Sequence, residues 1–172
     1  MKPIIKKYIV TSLTLCLIAG ASAGIIGLAN YITAPILESN NDDATTRLLR
    51  QVFGDNSTFS SETTIENKTY LISYWTAKVN GSEVGDVFKT AGTNSYGEIS
   101  MIVGIKTNGS VGKIYLITNT ESYATYVNDY VDQYNNGDRA LDDVQCGATR
   151  GATLVKNMAV AAQNFYKERK GL

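Results

Sequence analysis

Asp143, Val144, Gln145, Cys146, Gly147, Ala148 and Thr149 place a carboxylate, a thiol and a hydroxyl in a short run of small residues. Gly147 and Ala148 remove the side-chain bulk that would shield Thr149 from a large reactant. Immediately after it, Val155, Met158, Ala159, Ala162, Phe165 and Tyr166 recur at the spacing of one helical face, which predicts a helix over about 150–170 with Thr149 at its start. Unpaired N–H groups and the positive end of the helix dipole favour an anion there, by roughly 0.3–1 kcal/mol at an exposed site. Arg150 adds a guanidinium able to make charge-assisted contacts. The set suits a phosphate esterified to the Thr149 oxygen. Two other assignments use the same residues. Thr149 could be a plain helix N-cap, or Thr153, in the echo Arg150-Gly151-Ala152-Thr153, could be the esterified hydroxyl, although Gly147 stands six positions before it in place of an acid.

The elements that must position this motif read as an α+β domain with an antiparallel sheet and flanking helices. Leu48, Leu49, Val52 and Phe53 recur at helical spacing after Asp42 and Asp43, which can cap them, and Gly54 stops the run. A polar stretch over 56–64 reads as a loop. Strand-like runs at 69–77 and 83–90 flank Asn80-Gly81, and runs at 98–107 and 110–118 flank Asn108-Gly109, so that three or four antiparallel strands follow. Tyr123, Tyr126, Val127, Tyr130, Val131 and Tyr134 then mark one face of a second helix ending near Asn136-Gly137. That spacing predicts a core-facing tyrosine stripe, and Trp75 and Tyr96 are likewise expected in the strand core.

Residues 8–37 carry no charged side chain, and Lys2, Lys6 and Lys7 precede them while Glu38, Asp42 and Asp43 follow. About 20 apolar residues suffice to cross a bilayer as a helix. The charge bias sets the N-terminus in the cytoplasm. The expected organisation is a cytoplasmic N-terminus (1–7), a transmembrane helix (8–31), a membrane-proximal helix and linker (32–60) and one extracytoplasmic domain (61–172). A cleaved leader ending near Ala19-Gly20-Ala21 or Ala21-Ser22-Ala23 is the competing reading. Gly20 and Gly24 form a G-x-x-x-G that would admit a neighbouring helix.

The 172 residues hold 16 basic and 16 acidic side chains, no histidine and two cysteines. Setting aside the three N-terminal lysines leaves 13 basic against 16 acidic, which argues against a nucleic-acid partner. The absence of histidine excludes His-ligated haem, most catalytic zinc and the usual serine or cysteine hydrolase arrangements. Cys16 and Cys146 are too few for an iron–sulfur cluster within the chain. No metal ligands and no catalytic residues are assigned, so any redox chemistry must come from an organic cofactor.

The 143–149 segment resembles the D-x-x-S/T-G-A-S/T motif at which a flavin transferase esterifies the phosphate of FMN to the last hydroxyl, with Cys146 at the position of the usual Ser or Thr. Together with the exit Asn30-Tyr31-Ile32-Thr33-Ala34-Pro35-Ile36, the stretch 85–105 with Tyr96-Gly97, and the Asn108-Gly109 hairpin, the chain resembles the G subunit of the Rnf electron-transport complex over almost its full length. It is more distantly similar to the C subunit of the Na+-translocating NADH:quinone reductase. The resemblance implies an extracytoplasmic FMN-binding domain with covalent FMN on Thr149, in a cell-membrane protein that relays electrons among other flavin and iron–sulfur subunits. It also implies a flavin transferase for maturation, and Asp143, Cys146, Gly147, Ala148 and Arg150 around the cofactor. Where the family usually carries E-T-P-G-L-G, this chain reads Asn119-Thr120-Glu121-Ser122-Tyr123-Ala124, so only Glu121 corresponds. A stand-alone extracytoplasmic flavin carrier and a non-redox membrane-anchored interaction module are the rival functions.

Overall fold

A computed structural model describes residues 8, 12–20, 22–24, 27 and 45–172. The chain divides into two compact units, Met1–Ala44 and Thr45–Leu172. In the first, residues 12–20 and 22–24 are helical, and Leu13, Leu15, Leu17 and Ile18 are all exposed. Among the described residues, no helix is long and apolar enough to cross a membrane. Much of the expected span 8–31, its exit at Pro35 and the expected caps Asp42 and Asp43 lie outside the described residues.

The second unit runs α1 (45–53), β1 (Ser57–Phe59), β2 (Thr63–Thr64), β3 (Leu71–Val79), β4 (Ser82–Asn94), β5 (Gly97–Lys106), β6 (Val111–Asn119), α2 (Ala124–Asn136) and α3 (Thr149–Lys170). It is an α+β unit. The sheet is antiparallel throughout, in the order β1-β3-β4-β5-β6, with β2 also paired to β3. Both anticipated hairpins are present. Asn80 and Gly81 take φ of 51° and 81°, the pair of left-handed residues that a two-residue turn between twisted strands requires. At the second hairpin the Asn108 Oδ1 accepts from the Ser110 N–H at 3.0 Å and from its hydroxyl at 2.7 Å.

Segment 56–64 is not wholly a loop, because β1 and β2 lie within it and the sheet has six strands. These are short strands held to β3 by backbone pairing, a bond that needs no apolar alternation, so residue type alone gave no sign of them. Only Phe59 of β1 also joins a hydrophobic cluster.

The sheet is covered on both faces. On one, Phe88, Ile99, Met101, Val103, Ile105 and Ile114 pack against Val127 and Tyr130 of α2 and the buried side of α3. On the other, Trp75, Ala77, Val87 and Ile102 pack against Leu49, Val52 and Phe53 of α1. Successive residues of β4 serve opposite clusters, Val87 one and Phe88 the other, which is why Gly85 to Phe88 are all buried. Each fully buried large side chain contributes about 1.5–3 kcal/mol, and α3 is laid along the sheet by Leu154, Val155, Met158 and Tyr166, with Gly151, Ala152, Ala159 and Ala162 buried among them.

At its far end α3 is pinned by charge. Asp86 of β4 is wholly buried and pairs with Arg169, whose guanidinium also lies 4.4 Å from the Tyr74 ring centroid. Removing one partner of such a pair strands a buried charge. Arg169→Met is expected to destabilise the domain by about 3 kcal/mol in urea unfolding, and adding Asp86→Asn should recover part of that loss.

Candidate functional site

The near end of α3 is the motif itself. Ala148, almost fully buried, is the N-cap residue with φ −131° and ψ 57°, and no side chain caps the helix. The first helical bond is donated by the Ala152 N–H to the Ala148 carbonyl at 3.0 Å. The N–H groups of Thr149, Arg150 and Gly151 therefore have no hydrogen-bond acceptor among the described residues, and the first turn carries no acid. Thr149 is exposed and its Oγ1 donates to the Cys146 carbonyl at 3.0 Å. An N-cap side chain would instead accept from the helix N–H groups, so the capping reading of Thr149 does not hold.

Two loops from the sheet end close around this turn. In the β4–β5 turn the Tyr96 N–H donates to Asn94 Oδ1 at 2.7 Å, and the Tyr96 carbonyl accepts from the Ser122 N–H at 3.0 Å. The Thr120 N–H donates to the Glu98 carbonyl at 2.9 Å, which ties the β6–α2 loop to the same turn. Glu121, 5% exposed, thereby sits against Gly151, and its carboxylate accepts from the Asn94 side-chain amide. A Cβ at Gly151 would strike both the Glu121 carboxylate and Val127. A Cβ at Gly147 would lie 2.6 Å from the Tyr126 ring.

Between these loops and residues 147–151 lies a pocket of about 200 Å³, bounded by Tyr96, Glu121 and Tyr123. Tyr96 and Tyr123 meet edge to face, 5.7 Å between centroids at 70°. The Arg150 guanidinium donates to Ser95 Oγ at 3.0 Å and lies 5.6 Å from the Tyr96 centroid. A cavity of about 470 Å³ lies elsewhere, between α1, β6 and the end of α2, and contains none of the motif.

Tyr123 and Tyr126 are each 50% exposed and Tyr96 is 40% exposed, contrary to the expected core roles. Tyr123 precedes α2 rather than lying within it, and the buried face of that helix is Val127, Tyr130 and Val131. Trp75 is in the core as anticipated. Helical periodicity located the stripe, but its first two rings are left exposed while Val127, Tyr130 and Val131 are buried.

The other sequence-derived candidates are placed differently. Asp143 is exposed, outside the pocket, with its carboxylate 3.8 Å from Arg139. Arg139 also donates to the carbonyls of Asp143 and Gln145, both at 3.1 Å, and so holds the approach to the motif. Cys146 packs against the main core, and its carbonyl takes the Thr149 bond. Thr153 faces a neighbouring pocket beyond Arg150, and its hydroxyl donates to the Thr149 carbonyl at 2.7 Å. Asn94, Ser95 and Gly151 had no distinguishing pattern in the sequence, since each acts through a contact made across the fold. Among the described residues, no group of three or more His, Cys, Asp or Glu could hold a metal ion.

No family model matches the chain. Over 122 residues it is 29% identical to the G subunit of the Na(+)-translocating ferredoxin:NAD(+) oxidoreductase complex of Acetobacterium woodii, covering 64% of this chain. The chain resembles the Rnf G subunit. The match spans 59% of that relative's own length. It agrees with the likeness read from the motif, the hairpins and the N-terminal segment.

Tyr130 supports the segment that leads to Thr149, donating its hydroxyl to the Leu141 carbonyl. Burial pushes its phenol up to about 12, aided by Cys146, Tyr134 and Asp143 and opposed by Arg139. A raised folded-state value gives stabilisation that is complete below the ordinary tyrosine range near 10 and is lost as pH climbs from there towards 12. Burial also raises the phenols of Tyr134 and Tyr166, so tyrosinate absorbance should show a late-ionising group of phenols, and Tyr130→Phe should reduce the amplitude near 12.

Alanine in place of glycine normally favours a helix by about 1 kcal/mol. At Gly151 the collision with Glu121 and Val127 should reverse the sign, since overpacking costs about 1–3 kcal/mol. Gly151→Ala is therefore expected to lower the thermal midpoint, whereas an increase would show that the loop yields freely.

Proposed function

We propose that the chain is a membrane-anchored electron-transfer protein that carries FMN as a phosphodiester on Thr149 and works within an Rnf-type ion-translocating oxidoreductase. The observation that carries this reading is the exposed Thr149 hydroxyl at the first turn of α3, beside three N–H groups without acceptors and an aromatic-walled pocket. The similarity to the G subunit of such a complex supports the same assignment.

The residues fit the group. An esterified Thr149 gives up the hydrogen bond to Cys146, a loss of about 1 kcal/mol, while the phosphate gains the open helix end, whose dipole favours an anion by a similar amount. Gly147, Ala148 and Gly151 line the pocket without bulky side chains, and Arg150 supplies a nearby positive charge. When bound, FMN supplies the electron-carrying chemistry. The protein tethers it, orients it and sets its solvent exposure.

Attachment is a phosphoryl transfer from FAD by a separate flavin transferase. The Thr149 O–P bond forms, the P–O–P bond of FAD breaks, AMP leaves and Thr149 gives up its proton. Asp143 is exposed on the approach to the motif, which supports a role in recognition by such an enzyme. The helical, apolar and exposed residues in 12–20 support an anchor, because a row of such side chains calls for a non-aqueous neighbour. With the lysines before it and the acids after it, the anchor directs the 45–172 domain to the extracytoplasmic face. Partner subunits carrying flavin and iron–sulfur centres follow from that role.

Co-expression with a flavin transferase should raise the intact mass by one FMN less water. Thr149→Ala should abolish the increase and Thr153→Ala should keep it. A label that survives Thr149→Ala and disappears with Thr153→Ala would move the attachment by one helical turn.

A further inference from the structure

The 45–172 domain buries nearly all its large apolar side chains, and the exceptions are concentrated at one place. Of its exposed large hydrophobics, Tyr96 and Tyr123 line the Thr149 pocket and Tyr126 lies beside Gly147, with only Ile72 and Leu172 elsewhere. Tyr96 and Tyr123 come from separate loops and are held in contact by the backbone bond between Ser122 and Tyr96. Arg150 is fixed on the Tyr96 ring by its bond to Ser95. Two exposed rings held in contact at one pocket form a surface for a flat, conjugated partner, since offset and edge-to-face contacts are favourable only at defined geometry.

We propose that Tyr123 and Tyr96 are positioning residues that stack the isoalloxazine ring of the Thr149-linked FMN, with Arg150 bracing Tyr96 from behind. This rests on the reading that Thr149 carries FMN. Tyr123 occupies the segment where the resembled family has E-T-P-G-L-G. Tyr123 of this loop supplies one aromatic wall of the pocket. Stacked tyrosine quenches flavin emission by donating an electron to the excited ring, and the electron returns on decay, so no net oxidation occurs. The emission lifetime of the attached cofactor therefore reports the contact directly.

The test uses the full chain, flavinylated by co-expression with a transferase and checked by intact mass. The wild-type flavin should show a short-lived component that dominates its emission. Tyr123→Leu should lower the ratio of short-lived to long-lived emission by roughly two- to tenfold, the change expected when one aromatic contact is lost. Tyr96→Leu should act in the same direction. Tyr123→Phe should keep the flavin absorption shift of a stacked ring while lengthening the lifetime, because phenylalanine stacks but does not donate an electron. Tyr115→Leu, on β6 with its hydroxyl turned to the Gln51 carbonyl, should leave the ratio unchanged. Both tested rings are exposed, so their loss leaves the core intact. An attached FMN whose lifetimes match free FMN and do not respond to Tyr123→Leu overturns the stacking and leaves the function standing; the tyrosines would then be a surface for another protein. A chain that never acquires the FMN mass overturns both.

Discussion

The close approach of Gly151 to Glu121 and Val127 governs the geometry around the motif. Through it the first turn of α3 sits against the side chains of Glu121 in the β6–α2 loop and Val127 in α2, with no side chain of its own between. Because α3 also buries a long face against the sheet, its start can neither slide nor tilt away. The three unpaired N–H groups are thus presented at a rigid place.

This rigidity comes from both ends of the helix. Asp86 and Arg169 fix the last turn to β4, and the glycine contact fixes the first. The loops that meet the motif are in turn the ends of the longest hairpin, β4 and β5, stitched by backbone bonds to the exit of β6. A site built this way inherits its precision from the sheet rather than from the loops themselves. The sequence before the motif is held similarly, by Arg139 on two carbonyls and Tyr130 on a third.

The chemistry follows from that placement. A hydroxyl on a free loop would be as reactive, but its phosphate would find no organised donors. A hydroxyl one turn later, at Thr153, is already bonded to the helix backbone and lies past the turn where the N–H groups are open. The difference between Thr149 and Thr153 is therefore one of position along a helix, since both are threonines after Gly-Ala.

Much of the architecture was readable from residue order. The Asn80-Gly81 and Asn108-Gly109 turns, the alternating strands beside them, the short helix stopped by Gly54, the long helix after Thr149 and the α+β class all rest on local rules of backbone geometry and periodicity. So did the motif, whose small residues and hydroxyl are adjacent in the chain. The tertiary structure alone decided what lies across from it. β1 and β2 are paired by backbone bonds that leave no mark in residue type. Tyr96, Tyr123 and Tyr126 were at positions that periodicity or strand character assigned to the core, yet all three are exposed and the first two line the pocket. Asn94 and Ser95 reach the motif from a distant part of the sequence, and Glu121, already a candidate from the family resemblance, is brought against Gly151. Local preferences are set by neighbours along the chain, whereas burial and pocket lining are set by neighbours in space, and only folding determines those.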